Sequence, residues 1–159
     1  SGLYATCTAS RLTAPEVEYI LKDSGSKVLI AGASKADTAK EALALAGLSE
    51  GWSIDGEIDG FVPLETHRES FPTTPLPDEM LGSDMLYSSG TTGRPKGIRA
   101  PYEPDRAIDE DNVLVQIALG LSGASPDSIY LSPAPLYHAA PLRWCAAFTR
   151  GGATLVIME

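Results

Sequence analysis

The sequence predicts an α/β fold in which a mostly parallel sheet is flanked by helices. Short apolar runs typical of strands alternate with longer segments that repeat apolar residues at helical spacing. Such alternation is typical of parallel sheets, because each parallel connection has to cross back over the sheet. One predicted strand also leads directly into a glycine-rich loop at residues 87–97. Ligands bind at such strand ends in α/β proteins.

The composition excludes several classes of protein. A chain of 159 residues fits one compact domain, and its 43% hydrophobic and 21% charged residues argue against disorder. The formal net charge of −9 argues against a nucleic-acid binder, which needs a broad basic face. No apolar run approaches the roughly 18 residues of a membrane span. Cys7 and Cys145 lack any metal-binding spacing, so we expect two reduced thiols in a cytoplasmic protein.

The first helix is predicted from its boundary residues. Thr13 can cap the helix, and Glu16 three residues later completes a capping box. Gly25 supplies the usual stop signal at the other end. Residues 27–32 then form a short apolar run, which predicts a buried strand of a parallel sheet.

The pattern weakens after a second predicted helix, which is capped by Ser34 and stopped by Gly47. Several prolines and scattered acidic residues predict an irregular, exposed connection from about 48 to 82. Clear periodicity returns after this connection. Strands are predicted at 84–89, 128–132 and 153–158, and helices at 105–121 and 136–152.

The loop at residues 87–97 reads YSSGTTGRPKG, a composition suited to binding a polyphosphate. Its glycines permit backbone angles that let several N–H groups point into one concavity. Its hydroxyl groups add donors, and its lysine adds a mobile positive charge. Arg94, Lys96 and Arg99 are expected to form a local cationic cluster. The candidate phosphate-binding residues are Ser88, Ser89, Gly90, Thr91, Thr92, Gly93, Lys96 and Gly97.

Two other interpretations of the loop fit less well. A solvated turn is rich in the same residue types, but it needs only about two to four of them. A P-loop requires a hydroxyl residue directly after its lysine, where it binds magnesium. Here Gly97 follows Lys96, so the sequence does not fit a P-loop.

The loop resembles the phosphate-binding signature of adenylate-forming enzymes, the superfamily of acyl-CoA synthetases, luciferases and peptide-synthetase adenylation domains. Its one departure is Ser88, which replaces the usual threonine and keeps the hydroxyl. Residues 11–32 also resemble the helix and strand that precede the loop in acyl-CoA synthetases. Residues 133–142, PAPLYHAAPL, resemble the segment that places a histidine beside the acyl pocket. The resemblance implies a partial N-terminal domain of an adenylate-forming acyl-CoA synthetase.

The resemblance also implies chemistry with three small molecules. Such enzymes join a carboxylic acid to ATP at the α-phosphate, expel pyrophosphate and pass the acyl group to coenzyme A. Lys96 would stabilise the negative charge that builds on the leaving pyrophosphate. Ser88 would lie close to the Mg²⁺ ion held on the phosphates. Lys96 and His138 are therefore the catalytic candidates, and Ser88 is the metal candidate.

Other aromatic and histidine residues have plainer interpretations. The alternative for His138 is a packing or capping role near the start of a helix. Trp144 and Phe148 recur at helical spacing, and we expect them in the core rather than in an acyl pocket. His67 lies in the irregular stretch with no partner in view, and we expect it to be exposed. Residues 98–112 depart from the family pattern by two prolines and several charges, which suggests an altered loop over the site.

Several parts of the family pattern are missing from the sequence. Nothing resembles the adenine-binding Tyr-Gly-x-Thr-Glu segment, the ribose-binding aspartate or the catalytic lysine of the small C-terminal domain. We therefore expect an internal piece of the N-terminal domain, without the C-terminal domain, that cannot complete adenylation alone. The parent enzyme would act on a fatty or aryl acid. The alternatives are an amino-acid-activating adenylation domain and a non-enzymatic nucleotide-binding module.

Overall fold

The computed structural model describes residues 2–88, 94–101, 107–108, 110 and 113–158. Strands and helices alternate along the chain, as predicted for an α/β fold. The helices are α1 (Ala14–Ser24), α2 (Ala36–Ala46), α3 (Leu64–Arg68), α4 (Val113–Ser122) and α5 (Ala139–Arg150). The strands are β1 (Tyr4–Ala5), β2 (Leu29–Gly32), β3 (Gly51–Ile54), β4 (Val62–Pro63), β5 (Ser83–Ser88), β6 (Lys96–Arg99), β7 (Ile129–Ser132) and β8 (Thr154–Ile157). No helix in the described ranges combines the length and apolar character needed to cross a membrane.

The chain divides into two compact units, whereas its length predicts that it fits one compact domain. Residues 1–9 and 76–159 form the unit called unit one, and residues 10–75 form unit two. Each unit contains its own cluster of buried apolar residues. Chain length limits the area that can be buried but does not set how many cores share it, so the expectation of one domain stays a prediction.

In unit two, helices α1 and α2 pack against each other beside a parallel sheet. The strand order is β2–β3–β4, and both strand pairs are parallel, as predicted. The core is formed by buried apolar residues from both helices and from the segment after β3: Val17, Leu21, Ala42, Leu43, Ile58 and Phe61. The expectation of a buried strand at 27–32 is wrong for Ile30, which is 50% exposed because β2 lies at the edge of this sheet.

Helix α1 begins and ends as predicted. The carboxylate of Glu16 accepts hydrogen bonds from the backbone N–H and the hydroxyl of Thr13, both at 2.7 Å. These hydrogen bonds, the backbone one foremost, favour the charged carboxylate and lower the pKa of Glu16. At the other end, Gly25 adopts a left-handed conformation with φ of 68°, and its N–H donates to the carbonyl of Lys22 at 3.2 Å. Glycine suits this position because a Cβ atom disfavours that conformation.

Helix α2 begins later than predicted. Ser34 lies within a 3₁₀ turn, Ala33–Lys35, and Lys35 occupies the cap position of the helix. Ser34 is therefore not the cap residue. Short 3₁₀ turns often precede α-helices, and apolar periodicity does not reveal them. The end of the helix is confirmed, because Gly47 adopts a left-handed conformation with φ of 70°.

The predicted irregular connection at 48–82 is wrong in its first half. Strands β3 and β4 and helix α3 lie between residues 51 and 68. The two strands are not predicted because they are only four and two residues long, which is too short to show a periodic pattern. Ser53 in β3 is fully buried, and Phe61 belongs to the core. The stretch from 69 to 82 lacks helices and strands and is mostly exposed, as predicted.

In unit one, the strand that leads into the glycine-rich loop is paired on both sides. Strand β5 runs parallel to β1 and antiparallel to β6, the strand that returns from the loop. The antiparallel return is not predicted, although it agrees with a mostly parallel fold. Strands β7 and β8 form a parallel pair, and α5 packs against both strands and against α4. The apolar cluster of this unit consists of Val115, Ala118 and Ala147.

The predicted helix at 105–121 is confirmed only in its second half. Among its described residues, the helix begins at Val113, whereas residues 107, 108 and 110 are not helical. The other residues before Val113 lie outside the described ranges. Residues 105–112 are mostly charged and offer no continuous apolar face to bury, which agrees with the non-helical conformation of residues 107, 108 and 110.

We predict that Glu16→Gln lowers the stability of unit two near neutral pH and matters little in acid. A pKa lowered by folding means that the carboxylate stabilises the fold above its unfolded pKa, about 4.3, and that this contribution is lost as the pH falls through the folded pKa. Thermal unfolding followed by circular dichroism should give a lower Tm for the variant at neutral pH. The two Tm values should converge as the pH falls through the lowered pKa of Glu16.

Glu41→Gln is the charge-matched control for this experiment, because Glu41 is exposed on α2. Its Tm should follow that of the native chain across the whole pH range. A Tm difference for Glu16→Gln that does not change with pH would contradict the role assigned to the carboxylate.

Candidate functional site

The antiparallel pairing of β5 with β6 places Ser88 directly opposite Lys96. Residues opposite each other in such a pair project from the same face, with Cβ atoms about 4.5–5.5 Å apart. Both residues are exposed. A hydroxyl and an ammonium group therefore emerge side by side where β5 ends and the loop begins. Two of the predicted phosphate-binding residues are thus brought together.

The tip of the loop lies outside the described residues. The predicted phosphate-binding residues that belong to it are Ser89, Gly90, Thr91, Thr92 and Gly93. Their roles stay predictions. The structure positions the two ends of the loop, which are the last residue of β5 and the residues that lead into β6.

Gly97 is required by packing rather than by an unusual backbone angle. It lies within β6, and its φ is outside the left-handed region. An added Cβ atom would clash with Cε of Met85 and would lie only 3.0 Å from Cζ of Tyr87. Tyr87 is the residue directly opposite Gly97 in the strand pair. The expectation that Gly97 supplies backbone freedom to the loop is therefore corrected.

The predicted cationic cluster is divided between the two faces of β6. Side chains alternate along a strand, so Lys96 and Arg99 project from opposite faces. The guanidinium carbon of Arg99 lies 4.1 Å from the centre of the Tyr4 ring, which is a cation–π contact. The hydroxyl of Tyr4 donates to the carbonyl of Ala100 at 2.6 Å. Arg99 is therefore used in packing and does not join Lys96.

His138 stands at the cap position immediately before α5. The residue is exposed, and its ring lies 4.3 Å from that of Tyr137. Its side chain makes no capping hydrogen bond, although its carbonyl accepts from the N–H of Leu142 at 3.2 Å. In the described part of the chain, no direct contact joins His138 to Ser88 or Lys96. The structure therefore locates His138 at a helix start without assigning its imidazole to packing or capping.

The plainer interpretations of the remaining rings are partly confirmed. Phe148 is buried and stacks on Tyr130 with ring centres 4.4 Å apart, and Trp144 packs against the apolar cluster of unit one. The expectation that His67 is exposed without partners is wrong. Its ring lies 5.6 Å from that of Trp52 and 5.0 Å edge-on from that of Phe71. These neighbours lie in a stretch predicted to be irregular, so no packing for His67 was expected.

A bidentate ion pair joins α5 to β5. Nε of Arg143 donates to Oδ1 of Asp84 at 3.0 Å, and Nη2 donates to Oδ2 at 2.8 Å. Hydrogen bonding to Asp84 raises the pKa of Arg143, so the guanidinium stays charged. Burial, and secondarily the charge of Asp84, raises the pKa of the Cys7 thiol. The sequence does not reveal the ion pair between Asp84 and Arg143, because these residues are 59 positions apart and give no local signal.

A cavity of about 350 Å³ lies beside the ion pair, between strands β1 and β5 and helices α4 and α5. We call it the inner cavity. Asp84 and Arg143 both line it. The rest of its lining is mainly apolar and includes Leu3, Ala5, Val115, Leu142 and Ala146.

The predicted metal contact depends on Ser88 and on groups outside the protein. Among the described residues, no three side chains of His, Cys, Asp or Glu converge in a way that could hold a metal ion. A serine hydroxyl is a hard oxygen ligand, which suits Mg²⁺. Mg²⁺ in phosphate sites is commonly bound by one or two protein ligands together with substrate phosphates and water. Ser88 fits that mode.

Comparisons with known proteins agree with the fold. The profile of the AMP-binding enzyme family matches residues 1–159. The long-chain-fatty-acid–CoA ligase FadD13 of Mycobacterium tuberculosis is 30% identical over 167 residues, covering 99% of this chain and 30% of the ligase. The 4-coumarate–CoA ligase 3 of Oryza sativa is 29% identical over 170 residues, covering 98% of this chain and 28% of the ligase. The solved structure of a Mycobacterium tuberculosis fatty acyl CoA synthetase matches with a TM-score of 0.63 at 27% identity, covering 98% of this chain and 29% of that one.

An α/β chain with a glycine- and hydroxyl-rich loop at the end of a strand belongs to a class that commonly binds nucleotides. The family can now be stated: the chain belongs to the AMP-binding enzymes, and the relatives compared are CoA ligases. The resemblance to adenylate-forming acyl-CoA synthetases and the predicted fold class are thereby confirmed. The chain spans less than a third of the length of these curated relatives.

We predict that Gly97→Ala destabilises unit one. The added methyl group would crowd Met85 and Tyr87, and Met85 is buried, so it has little room to move away. Overpacking of this kind costs about 1–3 kcal/mol. Urea unfolding should show this loss, and Gly97→Ala should cost less in a Met85→Ala background than in the native chain.

Gly120→Ala is the matched control, because no atom lies within 4 Å of the Cβ atom it would add. Gly120 lies in α4, where alanine favours the helix by up to about 1 kcal/mol. Equal unfolding free energies for the native chain and Gly97→Ala would show that the strand pair accepts a side chain at this position.

Proposed function

We propose that this chain supplies the ATP phosphate-binding loop and part of the acyl pocket of an ATP-dependent acid–thiol ligase. The parent enzyme would activate a carboxylic acid as an acyl-adenylate and then transfer the acyl group to coenzyme A. The observation that carries the proposal is the placement of Ser88 opposite Lys96 at the end of β5, within the family's loop signature.

Lys96 is proposed to stabilise the leaving group of the first step. A carboxylate oxygen bonds to the α-phosphorus of ATP, the bond to the bridging oxygen breaks, and pyrophosphate leaves with the additional negative charge. An ammonium group carried on a paired strand is already in place when that charge develops. One such donor is worth about 3 kcal/mol in a transition state.

Ser88 is proposed to contact the phosphates or their metal ion. Its hydroxyl can donate to a phosphate oxygen, and its oxygen can serve as a ligand for Mg²⁺. Bound Mg²⁺ would neutralise charge on the phosphates. The position of Ser88 opposite Lys96 lets the two side chains approach the same phosphate groups.

His138 is proposed to lie between the acyl group and the nucleotide. Its segment, residues 133–142, carries the resemblance to the acyl-pocket region of CoA ligases. Its imidazole is exposed and does not cap α5, so the structure leaves it compatible with a substrate contact.

The proposed substrate is a fatty or aryl carboxylic acid. The names of two relatives, a long-chain-fatty-acid–CoA ligase and a 4-coumarate–CoA ligase, support this range. Amino-acid activation and nucleotide binding without catalysis are the competing outcomes. A panel of fatty, aryl and amino acids, offered to a longer protein that contains this chain, would separate them by acid-dependent pyrophosphate release.

The chain by itself is proposed to bind phosphates without completing adenylation. It spans less than a third of its curated relatives, and it contains no adenine-binding signature. The remaining site residues and the small C-terminal domain would be contributed by the rest of the parent.

Two free cysteines, Cys7 and Cys145, support a cytoplasmic location.

We predict that Lys96→Met weakens the binding of magnesium pyrophosphate to the chain by about tenfold or more, because a charge-assisted hydrogen bond is lost. Isothermal titration calorimetry measures the change. Lys27→Met removes the same charge from an exposed position in unit two and should leave the affinity unchanged. Equal affinities for the two variants would overturn the role of Lys96.

A matched pair of substitutions tests the hydroxyl of Ser88. Ser88→Thr keeps the hydroxyl and should bind magnesium pyrophosphate like the native chain. Ser88→Val introduces a side chain of nearly the same shape as threonine, but without the hydroxyl. The valine variant should lose about tenfold or more in affinity. Equal binding by the threonine and valine variants would show that the hydroxyl is not used.

We also predict that the chain alone shows no ATP–pyrophosphate exchange that depends on Lys96. The reason is that the adenine, ribose and acyl-activating parts of the site are absent from its sequence. Radiolabelled pyrophosphate exchange measures this activity with high sensitivity. Exchange above background that Lys96→Ala abolishes would contradict the prediction.

A further inference from the structure

The Asp84–Arg143 ion pair has a geometry that fixes orientation. Its two parallel hydrogen bonds, at 3.0 and 2.8 Å, join the planar carboxylate to the planar guanidinium. Such a fork sets both the distance and the angle between its partners, unlike the single contact that an ammonium makes. The side chains are 21% and 41% exposed, so solvent screens the attraction and the pair adds little to overall stability.

The two partners lie on the elements that carry the candidate site. Asp84 is in β5, and Ser88 ends the same strand four residues later, on the same face. Arg143 is in α5, five residues after His138 at its cap position. The ion pair therefore connects the strand that leads into the loop with the helix whose start carries the candidate histidine.

Apolar side chains make fewer close contacts where the inner cavity lies beside the pair. The inner cavity separates β1 and β5 from α4 and α5 at this point. Groups that face a cavity lose the close contacts that define orientation in a packed core. The pair crosses this loosely packed region.

The C-terminal end of α5 makes a separate set of hydrogen bonds. Nη1 and Nη2 of Arg150 donate to the carbonyls of Ile108 and Glu110, at 3.0 and 3.1 Å. Helix α5 also packs against α4, β7 and β8, and the Arg143 contact adds a link from its first half to β5. His138 occupies the cap position at the start of α5, so its placement depends on where that start lies.

We infer that Asp84 and Arg143 are a positioning pair, which sets the start of α5, and with it His138, relative to the end of β5 that carries Ser88. Neither residue touches the reacting groups in this assignment. The effect on substrate binding depends on the proposed function, whereas the effect on the direction of the helix does not.

The first test measures orientation without any ligand. Backbone amide residual dipolar couplings are recorded for the native chain, Asp84→Asn, Arg143→Lys and Arg143→Met. In the native chain, the couplings of β5 and α5 should fit one alignment tensor. In Asp84→Asn and Arg143→Met they should require two, and Arg143→Lys, which keeps the charge without the fork, should fall between. A single shared tensor in all variants would overturn the inference.

The second test measures the consequence for the candidate site. Magnesium pyrophosphate is titrated into the same proteins while the imidazole shift of His138 is followed by NMR and the affinity by calorimetry. Asp84→Asn and Arg143→Met should keep an affinity within about twofold of native, because Ser88 and Lys96 are unchanged. Their His138 shift response should fall to about half or less.

The outcomes separate the inference from the proposed function. Absence of pyrophosphate binding to the native chain would contradict the proposed function, and the dipolar couplings would still decide the positioning role. A native His138 response in the variants would contradict the inference and leave the proposed function intact. Asp59→Asn removes the exposed partner of Lys40 in unit two and should behave as native in both tests.

Discussion

The candidate site depends on the register of the β5–β6 strand pair. Because side chains alternate along a strand, a slip of one residue would move Lys96 to the face opposite Ser88. The fit of Gly97 against Tyr87 opposes such a slip, since it would bring Ile98 opposite the ring. The placement of Lys96 beside Ser88 therefore rests on a steric contact within the same strand pair.

The arrangement of cations shows how an acidic protein can present a positive group locally. The chain carries a formal net charge of −9, so its distant field does not attract anions. Arg99 lies on the Tyr4 ring, Arg143 is paired with Asp84, and Arg150 binds backbone carbonyls. These guanidinium groups hold the scaffold together. Lys96 differs from them in its position, at the end of the loop and opposite Ser88.

The sequence predicts the parts of the structure that leave local signals. The capping box of Thr13 and Glu16 and the stop at Gly25 give the first helix its boundaries, and the loop composition indicates the family. Strands β3 and β4 leave no signal because they are too short to show a period. The steric role of Gly97 and the pairing of Asp84 with Arg143 depend on residues brought together only by folding, so no local pattern could reveal them.

The separate cores of units one and two have a consequence for cooperativity. A buried cluster unfolds as a unit when its members support one another, and the clusters around Val17 and around Val115 share no member. Substitutions in one cluster are therefore expected to act first on the elements packed against that cluster. The strand pair that carries Ser88 and Lys96 lies in unit one, so a core substitution around Val17 does not touch it directly.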